Sequence, residues 1–206
     1  MKTLYTGITC PNPEYVHTPL IEILPVQDNS ALRQAAGSVD RYDYVLFTSR
    51  FAVKHFCPLL PQPSTIIHHP TIVSIGNATT VALYNIGIKD VQQVDEDNSY
   101  GVIEWFRIQP CGRVLVPRSN LALPIIPDGL RQLGFEVDTV TAYINSMPQN
   151  PQRTDLSKID RIVFTSPSTI ANFIRLYGSL PEGKVFDTRG PITEHYLHTK
   201  IKQHKL

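Results

Sequence analysis

Cysteine is scarce in this chain. Cys10, Cys57 and Cys111 are scattered over 206 residues, with no C-x-x-C pair. That excludes a disulfide framework and a zinc knuckle, and the three thiols are expected to be inert. No apolar run approaches the roughly 20 residues needed to span a bilayer, so no membrane partner is expected. The opening "MKTLYTGITCPNPE" holds neither an apolar core of signal-peptide length nor a small-residue cleavage site, which predicts a cytoplasmic protein. The formal net charge is only +1. It supplies no whole-molecule field for drawing in nucleic acid, and an anionic ligand must be held by local groups. His68 and His69 are adjacent, but no further His or acid sits at ligand spacing around them, so no metal is expected. The chain has no G-x-S-x-G elbow, no G-x-x-x-x-G-K-[ST] loop and no H-E-x-x-H. "TGIT" at 6–9 matches only a fragment of a flavin phosphate loop. An enzyme built on this sequence would work without metal or cofactor and with few acid–base groups.

Set against these absences is an ordinary globular balance, 42% hydrophobic and 18% charged, with length for one large domain or two small ones. Residues 2–6 read as a short strand. "PLIEILPV" (19–26) alternates between prolines as a strand does. "YVLF" (44–47) is a continuous apolar run, as in a buried parallel strand. A helix is predicted from 51 to 60, stopped by Pro58. "TIVSIG" is a strand, 79–85 a helix ending at Gly87, and "DVQQV" a short strand. Ser99 is the predicted cap of a helix carrying Val102, Ile103, Phe106 and a core Trp105. "GRVLVPRSN" is a strand with a polar corner, and Pro127 starts a helix that ends at Gly134. "EVDTVTAYIN" is a long alternating strand, and "MPQNPQRTD" is the clearest linker. "DRIVFTS", a helix to about Tyr177, "GKVFDTRG" and a last helix ending in Lys200, Lys202 and Lys205 complete the chain. Strands alternating with helices predict an α/β protein with parallel sheets.

One pattern occurs twice. "LFTSRFAVKHF" (46–56) and "VFTSPSTIANF" (163–173) share an Asp, two aliphatics, Phe-Thr-Ser, an aliphatic four residues after the Ser, and a closing Phe. The span from Asp43 to Phe56 equals that from Asp160 to Phe173. Each copy has a second echo, Gly76-x-x-Thr79 after the first and Gly190-x-x-Thr193 after the second. Two similar α/β domains account for this doubling. Ligands of parallel sheets bind outside the carboxyl ends of the strands, where all four corners fall. Each corner offers hydroxyls and helix-start amides that attract carboxylates or phosphates. A single Ser or Thr at such a corner is more often a plain helix cap. Four matched corners point instead to a cleft between the domains.

These residues, in this order, resemble the uroporphyrinogen-III synthase family. The carriers are "DYVLFTSRFAV", "VSIGNATTVAL", "GRVLVPRSN" with "GLRQLGFEVDTVTAY", "DRIVFTSPSTI" and "RGPIT". The resemblance implies two flavodoxin-like (HemD-like) α/β domains joined by a two-stranded β-ladder hinge. The first domain would comprise 1–24 and 148–206, the second 28–143, with linker strands near 18–27 and 137–147. It implies a lyase that cyclises hydroxymethylbilane, a linear tetrapyrrole bearing many carboxylates, with loss of water and inversion of the last ring through a spiro intermediate. It implies no cofactor, and the protein is expected to be a monomer. Tyr143 matches the family's tyrosine on the strand leaving the second domain and would donate a proton to the departing hydroxyl. Ser49, Thr79, Ser166, Ser168 and Thr193 match the cleft-lining corners. Thr6, Arg50, Ser74, Asn77, Arg118, Ser119 and Gly190 complete the expected substrate-binding set. Where the family commonly has Thr-Arg after the first strand, this chain has Thr6-Gly7, which removes a carboxylate partner. Arg50 is expected either to stand in for a nearby charge or simply to be solvated. Only 13 residues follow Thr193, so the first domain is expected to be trimmed at its edge. The competing class is a non-catalytic two-domain cytosolic binder of a small polyanion. A flavodoxin-like electron carrier would need a fuller phosphate loop.

Overall fold

The structure is a computed structural model and describes residues 1–61 and 70–204. It opens with β1 (Thr3–Tyr5), buried throughout, then the two-residue β2 (Val16–His17) and β3 (Glu22–Pro25). β3 covers only the later part of the proline-bracketed run expected as one strand. Leu20 in that run gives its N–H to the Thr6 carbonyl instead, at 3.0 Å. α1 (Ser30–Gly37) turns Leu32 and Ala36 inward. β4 (Tyr44–Phe47) is buried at all four positions, as a parallel strand covered on both faces should be. α2 (Arg50–Phe56) follows the capping Ser49. The α-helix stops before Pro58, and the chain runs on through one 3-10 turn, Cys57–Leu59.

β5 (Thr71–Ile75) leads to α3 (Asn77–Asn85). α3 starts two residues before the expected Thr79, because Gly76 at φ 75° turns the chain without a side-chain cap. β6 (Gln92–Val94) precedes α4 (Ser99–Arg107). The cap of α4 is Asn98, not the expected Ser99. Its side-chain oxygen accepts the N–H groups of Tyr100 and Gly101 at 2.9 and 3.1 Å, and Ser99 is already helical. β7 (Arg113–Ser119) is followed by α5 (Ile125–Gln132), which has Pro127 inside its first turn rather than at its start. Then come the eleven-residue β8 (Glu136–Ser146), β9 (Arg161–Phe164), α6 (Pro167–Tyr177), β10 (Val185–Thr188) and α7 (Pro191–His204). Among the described residues, no helix is long and apolar enough to cross a membrane.

The chain divides into two compact units. One is Met1–Glu22 with Asn145–Leu206; the other is Ile23–Ile144. In the second unit the sheet order is β3-β8-β7-β4-β5-β6, and the ladders from β8 to β6 are parallel. The two strands expected to pair as a ladder, β3 and β8, are neighbours at one edge of this sheet. Alternate strand residues feed two cores. Val45, Phe47, Ile72 and Leu115 pack with Leu32, Val53, Phe56 and Leu83. Tyr44, Leu46, Val73, Val114 and Val116 pack with Val102, Phe106, Ile126 and Leu130. Trp105, expected in the core, is half-buried at the margin of that second cluster and meets Phe106 edge-on at 4.9 Å. The sheet is therefore covered by helices on both faces. From β4 the chain winds through α2 to β5 on one side; from β7 it winds through α5 to β8 on the other. The strand order thus reverses between β4 and β7, which opens a crevice at their carboxyl ends.

The first unit carries a four-stranded parallel sheet, β10-β9-β1-β2. Its core is a single cluster that includes Leu4, Leu20, Ile162, Phe164, Ile170, Phe173 and Leu197. Phe164 and Phe173 meet edge-on at 5.4 Å. The order reverses between β1 and β9.

Candidate active site

In the second unit β7 and β8 run in step from Arg113↔Glu136 to Arg118↔Thr141, and then Ser119 pairs with Tyr143, skipping Ala142. This is a β-bulge, a device that re-aims a side chain. Ala142 and Tyr143 consequently lie in the same apolar cluster, which regular alternation forbids. Ser119 is the strand partner of Tyr143 across the bulge, and the hydroxyls of Ser49 and Ser119 lie beside its phenol. Ser49 lies just beyond β4 and Ser119 ends β7, so the phenol sits at the crevice where the strand order reverses. Its ring is held by Phe51, with centroids 5.8 Å apart, and by His55 at 6.1 Å with the planes 27° apart. Each serine oxygen also accepts a backbone N–H, Ser49 from Phe51 at 3.1 Å and Ser119 from Leu121 at 3.2 Å. Burial pushes the Tyr143 phenol above its ordinary pKa, and the two serine hydroxyls oppose that shift. The phenol is protonated at neutral pH and available as a donor. Burial, and then the charge of Lys54, lowers the pKa of His55, which keeps that ring neutral at pH 7.

The other expected residues divide by surface. Ser74 is fully buried. Its hydroxyl bonds Thr80 Oγ1 at 2.8 Å, and Thr80 donates onward to Gln93 Oε1 at 2.6 Å. This relay ties β5, α3 and β6 together, and Ser74 has no surface to offer a ligand. Thr6 is likewise fully buried and gives its proton to the Val163 carbonyl at 2.8 Å. Thr79 is buried and Asn77 exposed, both at the start of α3. A Cβ added at Gly76 would lie 3.4 Å from Asp97 Oδ2, so a carboxylate already stands over that corner and repels a second anion. Arg118 turns its guanidinium to the carbonyls of Ala122 and Leu123, bracing the turn before α5. Arg50 is exposed, with its guanidinium 5.0 Å from the Phe51 ring centre.

In the first unit the corner after β9 is a hydroxyl cluster. Ser166 and Thr169 form a reciprocal capping box at the start of α6. Ser166 Oγ meets Ser168 Oγ at 2.8 Å, and Asn145 Nδ2 donates to Ser168 Oγ at 3.3 Å. Gly190, at φ 82°, turns the chain into α7, where Thr193 is buried. Gly7 follows β1 across the reversal from this corner. A Cβ at Gly7 would meet Thr165 Cγ2 at 2.7 Å, so only glycine fits there. Among the described residues, no group of three or more His, Cys, Asp or Glu is placed to hold a metal; His68 and His69 lie outside those residues.

The profile of the family described as uroporphyrinogen-III synthase HemD matches residues 13–203. The chain belongs to the uroporphyrinogen-III synthase family. A Methanothermobacter thermautotrophicus protein, provisionally named a uroporphyrinogen-III synthase, is 28% identical over 173 residues, covering 78% of this chain and 67% of that protein. The porphyrin biosynthesis protein HemD of Ruminiclostridium josui is 27% identical over 180 residues; the match covers 82% of this chain but only 35% of that longer protein. A crystal structure of a mutant uroporphyrinogen III synthase from the extremely thermophilic bacterium Thermus thermophilus superposes with a TM-score of 0.67, covering 96% of this chain and 88% of that one. At 14% identity that likeness shows the fold.

In this uroporphyrinogen-III synthase family member, three of the expected site residues meet: Tyr143, Ser49 and Ser119. Ser166 and Ser168 form a second group, in the other unit. Sequence reasoning missed Thr169, the hidden half of the capping box, although a hydroxyl three residues after Ser166 is a readable signal. It also missed Arg189, at the carboxyl end of β10 with its guanidinium 5.5 Å from the Tyr5 ring centre. Nothing in the local sequence marks Arg189, because its neighbour Tyr5 comes from the opposite end of the chain.

Proposed function

We propose that this protein is a uroporphyrinogen-III synthase that closes hydroxymethylbilane into the type III macrocycle, with Tyr143 as its proton donor. The observation that carries the reading is the protonated Tyr143 phenol at the strand-order reversal, flanked by Ser49 and Ser119. Family membership supports the substrate class. A pyrrole nitrogen of the substrate expels the terminal hydroxyl, and Tyr143 protonates it as it leaves as water. The substituted carbon of the last ring attacks, a spiro intermediate forms, and fragmentation and re-closure invert that ring. Most of the rate advantage comes from holding the flexible chain in the closing geometry. Side-chain carboxylates are taken by the helix-start amides and hydroxyls of the corners, chiefly Ser166 and Ser168 with the amides after Gly190, and by the exposed Arg50. Thr193 and Thr79 shape their corners, and Asn77 offers an exposed amide at the start of α3. In this reading the protein acts as a monomer in the cytoplasm.

The test is the isomer formed. Hydroxymethylbilane left alone closes to the type I product. Freshly made substrate, incubated with the protein and then oxidised, should give type III uroporphyrin on chromatographic separation. Type I alone, from folded protein that still binds the substrate, would replace this reading with that of a polyanion binder.

A further inference from the structure

α2 and α3 are neighbours on one face of the second unit's sheet, and a hollow of about 510 Å³ opens between them. Its floor is apolar. Val53, Leu60 and Ile88 are all buried and belong to the cluster on this face of the sheet. One wall is α2, where Arg50, Val53 and Lys54 stand at i, i+3 and i+4 and so share a side of the helix. The other wall is α3, through Ala82 and Asn85, with Ile86 just past its end.

The two walls differ in charge. Residues 70–88, which supply β5, α3 and the turn after it, contain no Asp, Glu, Lys, Arg or His. A helix face left to water normally carries charged side chains, yet here Ile86 stands 46% exposed at the rim. On the α2 wall Arg50 and Lys54 are both exposed. Among the described residues that line the hollow, none is acidic. All the charge on the rim is therefore positive, and it lies on one side. The volume falls in the range of small-molecule pockets, about 300–1,000 Å³, which are mostly apolar with a few polar groups to fix orientation. A stable protein interface needs about 800 Å² from each partner, more than this gap between two short helices presents.

We propose that the hollow between α2 and α3 is a binding site for a small amphipathic monocarboxylate. Its apolar body rests on Val53, Leu60, Ala82 and Ile88, and its carboxylate lies at the α2 rim beside Lys54, with Arg50 adding to the positive field. The body leaves water for an apolar floor, which supplies the affinity. The head stays at the wet rim, where the cations attract it without the cost of burying a charge. Nothing in this assignment depends on the reaction proposed above.

The experiment titrates the full chain, labelled with nitrogen-15, with decanoate and with decan-1-ol at neutral pH, each below its aggregation concentration. Decanoate should bind saturably, with amide shifts concentrated at Val53, Lys54, Ala82, Asn85 and Ile88. Decanol has the same body without the charge and should bind about fivefold more weakly. Lys54→Glu changes an exposed side chain and reverses its charge; it should weaken decanoate about tenfold and leave decanol within about twofold. Ala82→Leu, which fills the hollow, should weaken both ligands; if it does not fold, Lys54→Glu decides alone. Absence of saturable binding overturns the assignment. So do equal affinities for decanoate and decanol, or shifts spread over the apolar clusters of both units. If the α2 and α3 amides move on raising the protein concentration alone, a second copy of the chain covers this face and the small-molecule site is wrong.

Discussion

A hydroxyl in the centre of Tyr143's surroundings is the smallest change that separates chemistry from packing. Tyr143→Phe keeps the ring against Phe51 and His55 and removes the donor. Ser49 and Ser119 lose a polar neighbour, so stability should fall by no more than about 1 kcal/mol. General acid help is typically worth about a hundred-fold or more, but water can reach an open crevice and substitute. Turnover is therefore expected to fall between about 10- and 100-fold. An unchanged rate at saturating substrate would take Tyr143 out of the reaction. Cys57 gives a second prediction at this scale. Burial in the apolar cluster just after α2 raises its thiol from 9.0 to about 12. A folded-state pKa above the unfolded one means stability is fully present below pH 9.0 and is lost as pH climbs from there through about 12. Between pH 8 and 10 the expected loss from this one group is about 1.4 kcal/mol. Cys57→Ala should be weaker at pH 8 because of the cavity, yet lose less than the wild type on going to pH 10 in urea titrations. At neutral pH a thiol reagent should modify the exposed Cys111 first and the buried Cys57 last. Equal pH dependence in both proteins, or fast labelling of Cys57, would show that the thiol is not buried as described.

At the level of elements, caps and close approaches decide where each helix begins. Thr169 is fully buried; its hydroxyl accepts the Thr165 and Ser166 N–H groups at 3.2 and 3.3 Å and donates to the Ser166 carbonyl at 2.7 Å. Thr169→Val keeps the shape and removes all three bonds, so a loss of about 2 kcal/mol is expected, measured as the change in unfolding midpoint. Gly7→Ala is the companion test, because its Cβ would press on Thr165 Cγ2 at 2.7 Å and Tyr5 Cε1 at 2.9 Å. Overpacking of this kind costs about 1–3 kcal/mol. Thr165→Ala in the same chain should recover a good part of it; no recovery would mean the strain lies elsewhere. These elements also show what a sequence discloses. The α/β alternation and most helices are readable because apolar period and cap chemistry are local. Asn98 displaced Ser99 as cap because either residue type suits the position and only the backbone angles choose. Gly76 started α3 early because a positive φ leaves no side-chain signature. The bulge at Ala142 is invisible in "VTAYIN", since one skipped residue in a long strand alters no composition. Ser49, Ser119 and Tyr143 could therefore be named singly, but their gathering at one end of the sheet depends on a register that only the fold supplies.

For the molecule as a whole, the doubled Phe-Thr-Ser pattern announces two similar local motifs, and both are strand, capped corner and helix. What the pattern hides is how each sheet is covered. The second unit packs two apolar clusters against its sheet, whereas the first unit has one. The side of a sheet on which a crossover helix lands is set by winding, not by the residues of the corner. The three clusters share no residue, which sets up the last prediction. Phe173, in the first unit, and Phe47, in the second, are both fully buried. Replacing either by Leu should cost about 1–2 kcal/mol, or very roughly 1 M in urea midpoint at a slope of about 1–3 kcal/mol/M. The chain has a single tryptophan, and Trp105 packs at the edge of a cluster in the second unit. Its fluorescence therefore follows that unit alone, while far-ultraviolet circular dichroism follows both. Phe47→Leu should lower the fluorescence midpoint. Phe173→Leu should leave the fluorescence midpoint in place and move only the dichroism curve, which should then separate into two steps. If Phe173→Leu shifts both signals together by the same amount, separate cores do not mean separate unfolding, and the chain melts as one cooperative body.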